Sequence, residues 1–143
     1  MRRQPRALWN EINYILAERM EKVKQKTVKV TTDNKISIIY VDFSDFKDIQ
    51  RAIGGNFETV HTRLMADYFK DLSVIMLVDE EGILKGLPLN AIGSTFYGTQ
   101  RHGNPIVGDV IFANAVGEDI VGPVDPEAMA ERLLGTFIGL KRE

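Results

Sequence analysis

The sequence predicts an α+β domain with an antiparallel or mixed sheet of about five strands, two or three short helices and an N-terminal amphipathic helix. Three observations lead to this prediction. Apolar residues recur at helical spacing along residues 5–25, short β-type runs follow from Thr27, and a helical pattern returns after Asp125. The length of 143 residues fits one domain, which we divide into a helix of residues 1–26 and a body of residues 27–143.

The N-terminal helix is expected to begin near Pro5 and to carry one apolar stripe, with Trp9 beside it. Because a helix with one apolar face must cover some surface, we predict that this helix supports self-association. The predicted contact residues are Trp9, Ile12, Leu16 and Met20. Packing of the helix against its own domain is the alternative.

Five segments of the body have the composition of strands. Residues 27–31 alternate in polarity and residues 36–41 are mostly β-branched or aromatic, which is typical of a hairpin. Residues 57–62 and residues 106–115 are predicted to be two further strands. Residues 73–79 form the most hydrophobic stretch of the chain, and we expect them to be a central strand.

Helices are expected at three places in the body. Ser44 is placed to cap the first, in which Phe46 should face the core, and two glycines end it. Residues 91–97 are predicted to form one or two helical turns. Asp125 should cap the last helix, with Pro126 at its first position.

The composition excludes several classes of protein. The chain has no cysteine, so disulfides, thiolate catalysis and cysteine-based zinc sites are excluded. Polar residues interrupt the N-terminal segment too early for a signal peptide, and the apolar runs are too short to cross a bilayer. We therefore expect a cytoplasmic protein that does not associate with membranes.

The charge is distributed unevenly along the chain. Residues 1–26 hold seven Lys or Arg and three Glu, a balance of +4, whereas the whole chain has a net charge of −2. The body is therefore acidic, which disfavours contact with nucleic-acid phosphates. Nucleic acid is accordingly not an expected partner.

Motifs of catalysis and cofactor binding are absent from the sequence. It contains no phosphate-binding GxxxxGK[ST] loop, no GxGxxG and no GxSxG. Its two histidines, His61 and His102, have no partner at metal-ligand spacing. We therefore predict a protein that is not an enzyme and that has no catalytic residues, cofactor or metal site.

Four short motifs follow one another in the body. They are GG-x-x-E at residues 54–58, DEEG at residues 79–82, LP-x-N at residues 87–90 and I-x-G-D at residues 106–109. In this order they resemble a domain-of-unknown-function family of small proteins found mostly in phages and mobile elements, over about residues 36–137. The resemblance implies a compact α+β fold and a phage-like origin, and it implies no activity.

The stretch of residues 90–104 mixes polar, aromatic and cationic side chains with three glycines. This mixture is typical of a loop that binds phosphate or a nucleotide, and equally of a mobile surface loop. In the first interpretation Arg101 holds a phosphate and Tyr97 stacks on a base. The candidate ligand-binding residues are Asn90, Ser94, Thr95, Tyr97, Arg101 and His102.

Together these patterns favour a non-catalytic, oligomeric binding protein of phage or mobile-element type. Its expected ligand is a small phosphorylated molecule, and one version is the sequestration of a nucleotide-derived signal of host defence. The alternative is a protein-interaction module that inhibits or adapts a host protein. In both cases the protein is expected to act in the host cytoplasm.

Overall fold

The computed structural model describes residues 10–12 and 24–143. Residues 10–12 are helical, and Ile12 keeps 41% of its surface exposed. Trp9, Leu16 and Met20, which the sequence analysis assigns to self-association, lie outside the described residues. Their role therefore stays a prediction.

In the part of the chain that the structure describes, seven strands form one mixed sheet. The strands are β1 (Gln25–Val30), β2 (Lys35–Val41), β3 (Phe57–Val60), β4 (Val74–Asp79), β5 (Val110–Val116), β6 (Asp119–Val121) and β7 (Lys141–Arg142). Their order is β3-β4-β5-β1-β2-β7, with β6 paired to β5. β2 and β7 are parallel, and the other pairs are antiparallel.

Five helices cover the sheet within residues 24–143. They are α1 (Phe46–Ile53), α2 (Arg63–Phe69), α3 (Ala91–Tyr97), α4 (Thr99–His102) and α5 (Pro126–Thr136). As the sequence predicts, the Asp125 carboxylate caps α5 by accepting a hydrogen bond from the Ala128 amide, and Pro126 opens the helix. The helix-ending role of Gly54 is also confirmed, because its φ of 96° lies in the left-handed region.

β4 and most of β5 are buried on both faces of the sheet, because helices pack on each face. Helices α2, α3 and α5 pack on one face, where Met65, Phe96 and Leu133 meet the even-numbered residues of β4. Helix α1 packs on the other face against Ile75 and Leu77. All six residues of β4 are buried, and β4 pairs with strands on both sides; the predicted central strand is therefore not an edge strand, and it lies second from the β3 end of the sheet.

The mixed α+β fold is confirmed, but the prediction of about five strands is wrong because the sheet is larger. β6 has three residues and β7 has two, and so short a segment carries no alternating pattern. The boundary between helix and body also shifts, since β1 begins at Gln25 and pairs there with Val41 of β2. Residues 25 and 26 therefore belong to the sheet.

Helix α1 departs from its prediction in two details. Asp45, not Ser44, caps it, because the Asp45 carboxylate accepts the Lys47 amide hydrogen bond at 3.0 Å. Phe46 does not face the core: it is 68% exposed, and its ring lies 5.9 Å from that of Phe57. The helix reaches the core through its later residues instead, chiefly Ile49.

Candidate functional site

The family-like motifs meet around one buried carboxylate at the end of β4. Asp79 keeps 2% of its side chain exposed, and its Oδ2 lies 2.7 Å from Lys85 Nζ. Asp79 Oδ1 accepts a hydrogen bond from the Glu81 amide at 2.8 Å, and Lys85 Nζ also donates to the Gly54 carbonyl at 3.3 Å. Lys85 therefore ties the loop after β4 to the end of that strand by an ion pair and to the end of α1 by a hydrogen bond.

Two motif glycines permit close packing around this ion pair. A Cβ atom at Gly55 would lie 2.3 Å from Lys85 Nζ and 3.1 Å from Asp79 Oδ2. Gly108 has a φ of +82°, and a Cβ there would lie 2.9 Å from Leu87 Cδ1. We call Gly55, Asp79, Lys85, Leu87 and Gly108 the motif cluster. Packing and hydrogen bonding account for these residues, so they do not by themselves indicate a ligand.

Two of the six candidate ligand-binding residues, Asn90 and Ser94, are buried, and backbone groups of the protein engage both side chains. Asn90 is fully buried, caps α3 through the Gly93 amide, and donates to the carbonyls of Val30 and Gly108. Ser94 Oγ donates to the Ile106 carbonyl at 3.2 Å and accepts from the Ile106 amide at 2.9 Å. Their hydrogen bonds join the segment of residues 90–94 to the carbonyls of Val30, Ile106 and Gly108.

The other four candidates lie nearer the surface. Thr95 Oγ1 is exposed and donates to its own helix, at the Ala91 carbonyl. His102 Nδ1 accepts from the Asn104 amide, so Nε2 carries the proton and donates to the Tyr97 carbonyl at 3.0 Å. The rings of Tyr97 and His102 meet edge to face at 4.7 Å. Arg101 is exposed on α4, and no ion pair with another described residue engages its guanidinium.

A cleft that the sequence analysis did not predict lies beside the first turn of α5. It has a volume of about 230 Å³. Its apolar lining residues are Phe69, Val74, Pro123, Val124, Ala128 and Met129. Its polar lining residues are Asp71, Asn114, Asp125 and Arg132.

Two polar residues of the cleft lining, Asp71 and Asn114, form a hydrogen-bonded group with Ser73, which lies outside the lining. Asn114 Nδ2 donates to Asp71 Oδ2 at 2.9 Å and to Ser73 Oγ at 2.7 Å. The hydroxyl and the amide of Ser73 both donate to Asp71 Oδ1, at 2.7 and 2.9 Å. These bonds from Ser73, and then that from Asn114, hold the pKa of the Asp71 carboxyl below its ordinary value. The Asp71 side chain is therefore an ionised carboxylate at neutral pH.

The amide oxygen of Asn114 is the exception in this network. Asn114 keeps 8% of its surface exposed, and its buried Oδ1 has no hydrogen-bond partner among the described residues. More than about 90% of buried polar groups in native proteins have a partner, and a missing one costs about 1–3 kcal/mol. Because Asn114 lines the cleft, the missing partner makes its side-chain amide a candidate ligand contact.

The charged residues of the cleft are already engaged by the protein. Arg132 donates to the Tyr68 carbonyl at 2.7 Å, and its Cζ lies 4.6 Å above the Tyr68 ring. Asp125 is the N-cap of α5, 3.0 Å from the Ala128 amide. Within residues 10–12 and 24–143, no group of three or more carboxylates and histidines is placed to hold a metal ion.

The sequence held one signal for the cleft, namely a polar Asn114 inside the otherwise apolar strand β5. The remaining lining residues come from α2, from the turn between α2 and β4, from the start of β4, from the connection that leads into α5, and from α5 itself. No motif joins these separate segments, so only the fold brings them together.

The protein is a mixed α+β domain, and its surface carries a small cleft that is lined by both polar and apolar residues. Comparison with protein families gives a more specific result: the chain belongs to the family described as Domain of unknown function (DUF3846), which matches residues 18–137. The match confirms that the chain contains a domain of unknown function. It begins at residue 18, whereas the motif resemblance begins at about residue 36, and it therefore includes part of the predicted N-terminal helix.

Comparisons with curated proteins and with solved structures find no match. Among the residues with a described structure, no helix combines the length and hydrophobicity needed to cross a bilayer.

Proposed function

We propose that this chain is a non-catalytic binding protein whose ligand occupies the cleft beside α5 and not the segment of residues 90–104. The observation that carries the proposal is the missing hydrogen-bond partner of Asn114 Oδ1, a buried atom of a residue that lines the cleft. Apolar walls with a few convergent polar groups are typical of small-molecule sites. The volume of about 230 Å³ suits a small ligand.

The hydrogen bonds of the cleft favour binding over catalysis. Ser73 supplies the hydroxyl of this network, and the hydroxyl donates a hydrogen bond to Asp71. Because the pKa of the Asp71 carboxyl is lowered, this carboxylate is a weak base and a poor activator of a nucleophile. His61, which lies nearby in sequence, is bonded through Nε2 to the Leu72 carbonyl at 2.8 Å.

A different version places a phosphorylated ligand at the segment of residues 90–104 instead of the cleft. In it, a cytoplasmic protein of phage or mobile-element origin sequesters a nucleotide-derived signal of host defence. The exposed Arg101 supports this version, because its guanidinium forms no ion pair with another described residue and can bind phosphate. Self-association through the helix of residues 1–26 belongs to the same proposal.

Nuclear magnetic resonance of the ¹⁵N-labelled full chain tests which site is used. Nucleosides, mononucleotides and small amines are added in turn, and the amide signals of Val74, Asn114 and Ala128 are followed. At least one compound should shift these signals, and Ala128→Trp should remove the response by filling the cleft. Ala128 suits this change because it lines the cleft and is exposed on α5.

The result against the proposal is equally clear. Compounds that shift only α4 around Arg101 would move the site back to the loop, and a complete lack of response would remove small-molecule binding from consideration. Ala91→Trp is the matched control, because Ala91 is an exposed helical alanine that does not line the cleft.

A second candidate function is docking of a host protein on the loop after β4. Ile83, Leu84 and Leu89 are 68%, 89% and 54% exposed, and the Asp79–Lys85 ion pair holds the loop to the sheet. A fixed apolar surface of this kind is suited to protein contacts. The double variant Ile83→Ser/Leu84→Ser should lose a partner that co-purifies from the host, whereas Leu72→Ser, at another exposed leucine, should retain it.

A further inference from the structure

We infer that the cleft selects a small ligand with an apolar body and an uncharged or cationic N–H donor, and that it discriminates against anions. The inference rests on the proposed function, since it names the class of ligand for the same cleft. It combines the orientation of Asn114, the charges of the lining and the capped state of α5.

The unpartnered oxygen of Asn114 requires a hydrogen-bond donor from the ligand. Asn114 Nδ2 is held by Asp71 Oδ2 and Ser73 Oγ, at 2.9 and 2.7 Å. If the side-chain amide turned over, Oδ1 would lie against the ionised Asp71 carboxylate and would be repelled. The oxygen therefore stays on the side of the amide that faces away from Asp71. An amide oxygen only accepts hydrogen bonds, and Oδ1 has no partner among the described residues. A ligand group that satisfies it must donate.

The second step is the charge of the lining, which holds two carboxylates, Asp71 and Asp125, and one guanidinium, Arg132. Ser73 and Asn114 keep the pKa of the Asp71 carboxyl low, so this group is negative at neutral pH. Arg132 stacks on Tyr68 and donates to the Tyr68 carbonyl, so part of its donor capacity is already used. The lining is negative on balance, and an anionic ligand is repelled.

The third step is the N-terminus of α5, which in an 11-residue helix would ordinarily attract an anion. Here the Asp125 carboxylate occupies that position and accepts from the Ala128 amide at 3.0 Å. Pro126, the first helical residue, has no N–H to offer. A ligand anion would have to compete with Asp125 for the same end of the helix.

The apolar lining sets the shape of the ligand. Phe69, Val74 and Met129 provide apolar wall, and Val124 stands at the cleft fully exposed, at 103%. The volume of about 230 Å³ is below the roughly 300–1,000 Å³ of sites for drug-sized molecules. A single ring that carries N–H donors, such as a nucleobase-like heterocycle or an aryl amidine, is small enough for this volume.

Three probes of nearly equal size and shape test the inference: benzamidine, benzamide and benzoate. The first two donate from nitrogen, whereas benzoate only accepts and is anionic. Each is titrated into the ¹⁵N-labelled full chain, and the side-chain NH₂ signal of Asn114 and the backbone signal of Ala128 are followed. Benzamidine should bind at least about tenfold tighter than benzoate, with benzamide between them.

Variants and outcomes separate the two proposals. Ala128→Trp should abolish the cleft shifts, Ala91→Trp should retain them, and the spectra of both variants report whether the chain is folded. Equal or tighter binding of benzoate at the cleft overturns the inferred ligand class and leaves the cleft as a ligand site. If none of the three probes, and none of the nucleosides, nucleotides and amines used above, shifts the cleft signals, both proposals are overturned.

Discussion

The ion pair of the motif cluster leads to a quantitative prediction about stability. Replacing Lys85 by Met keeps the aliphatic stem but removes the cation that faces Asp79, whose side chain is 2% exposed. Removing one partner of a buried pair costs about 3–5 kcal/mol. Because Lys85 is 35% exposed, water partly replaces its ammonium, and we expect a loss of about 2–3 kcal/mol in the free energy of unfolding.

A substitution at Gly55 perturbs the same ion pair between Asp79 and Lys85. The Cβ of Gly55→Ala would lie 2.3 Å from Lys85 Nζ, so the flexible ammonium must move away from Asp79. Gly55→Ala should therefore cost about 1–2 kcal/mol in the wild-type chain and less than about 0.5 kcal/mol when combined with Lys85→Met. This non-additivity is the signature of a shared ion pair.

Equilibrium urea denaturation measures both effects, and thermal unfolding should show Lys85→Met melting roughly 6–12 °C lower. Gly139→Ala is the glycine control, since nothing lies within 4 Å of its added Cβ, and Lys47→Met is the control at an exposed lysine. Both controls should stay within about 0.5 kcal/mol of the wild type. The reasoning is refuted if Lys85→Met costs less than about 1 kcal/mol, or if Gly55→Ala costs the same in both backgrounds.

Three further predictions concern the cleft, the α4 loop and the N-terminus. The pKa of the Asp71 carboxyl is lowered by Ser73, so its stabilisation is present above the unfolded-state pKa of about 3.9 and is lost as the pH falls through the lower folded-state pKa. In urea titrations Asp71→Asn should therefore cost about 1–2 kcal/mol at pH 7 and less near pH 3, unlike Asp67→Asn at an exposed site. If Arg101 binds phosphate, calorimetry with cyclic dinucleotides and mononucleotides should show about 10- to 150-fold weaker binding by Arg101→Ala, and unchanged binding would discard this site. Removing residues 1–23 should reduce the number of chains in the oligomer, as measured by light scattering. An unchanged number of chains would indicate that the helix packs against its own domain and does not support self-association.

The sequence was sufficient where one local pattern decides the structure. The continuous apolar run of β4 predicted an interior strand because a strand that is apolar on both faces must be covered on both. Asp125 followed by Pro126 predicted the start of α5, because each residue satisfies a local need of a helix N-terminus. Neither prediction required knowledge of distant residues.

Prediction failed where distant partners decide the role of a residue. Asn90 and Ser94 have the polarity of ligand-binding residues, but their partners are backbone groups of Val30, Gly108 and Ile106, which only the fold brings near. β7 is two charged residues whose pairing with β2 leaves no periodic signal. The cleft was missed for the same reason, because its residues come from separate segments.

The motif cluster and the cleft lie at opposite ends of β4. The motif cluster lies at its C-terminal end, at Asp79, and the cleft lies at its N-terminal end, at Val74. Six residues of strand separate them by about 17 Å, beyond the roughly 7–10 Å within which substitutions usually couple. Lys85→Met and Asp71→Asn should therefore add to within about 0.5 kcal/mol, and Lys85→Met should leave the preference for benzamidine over benzoate unchanged. A changed preference in a chain that is still folded would show that the ion pair shapes the cleft, and the motif cluster would then belong to the binding site.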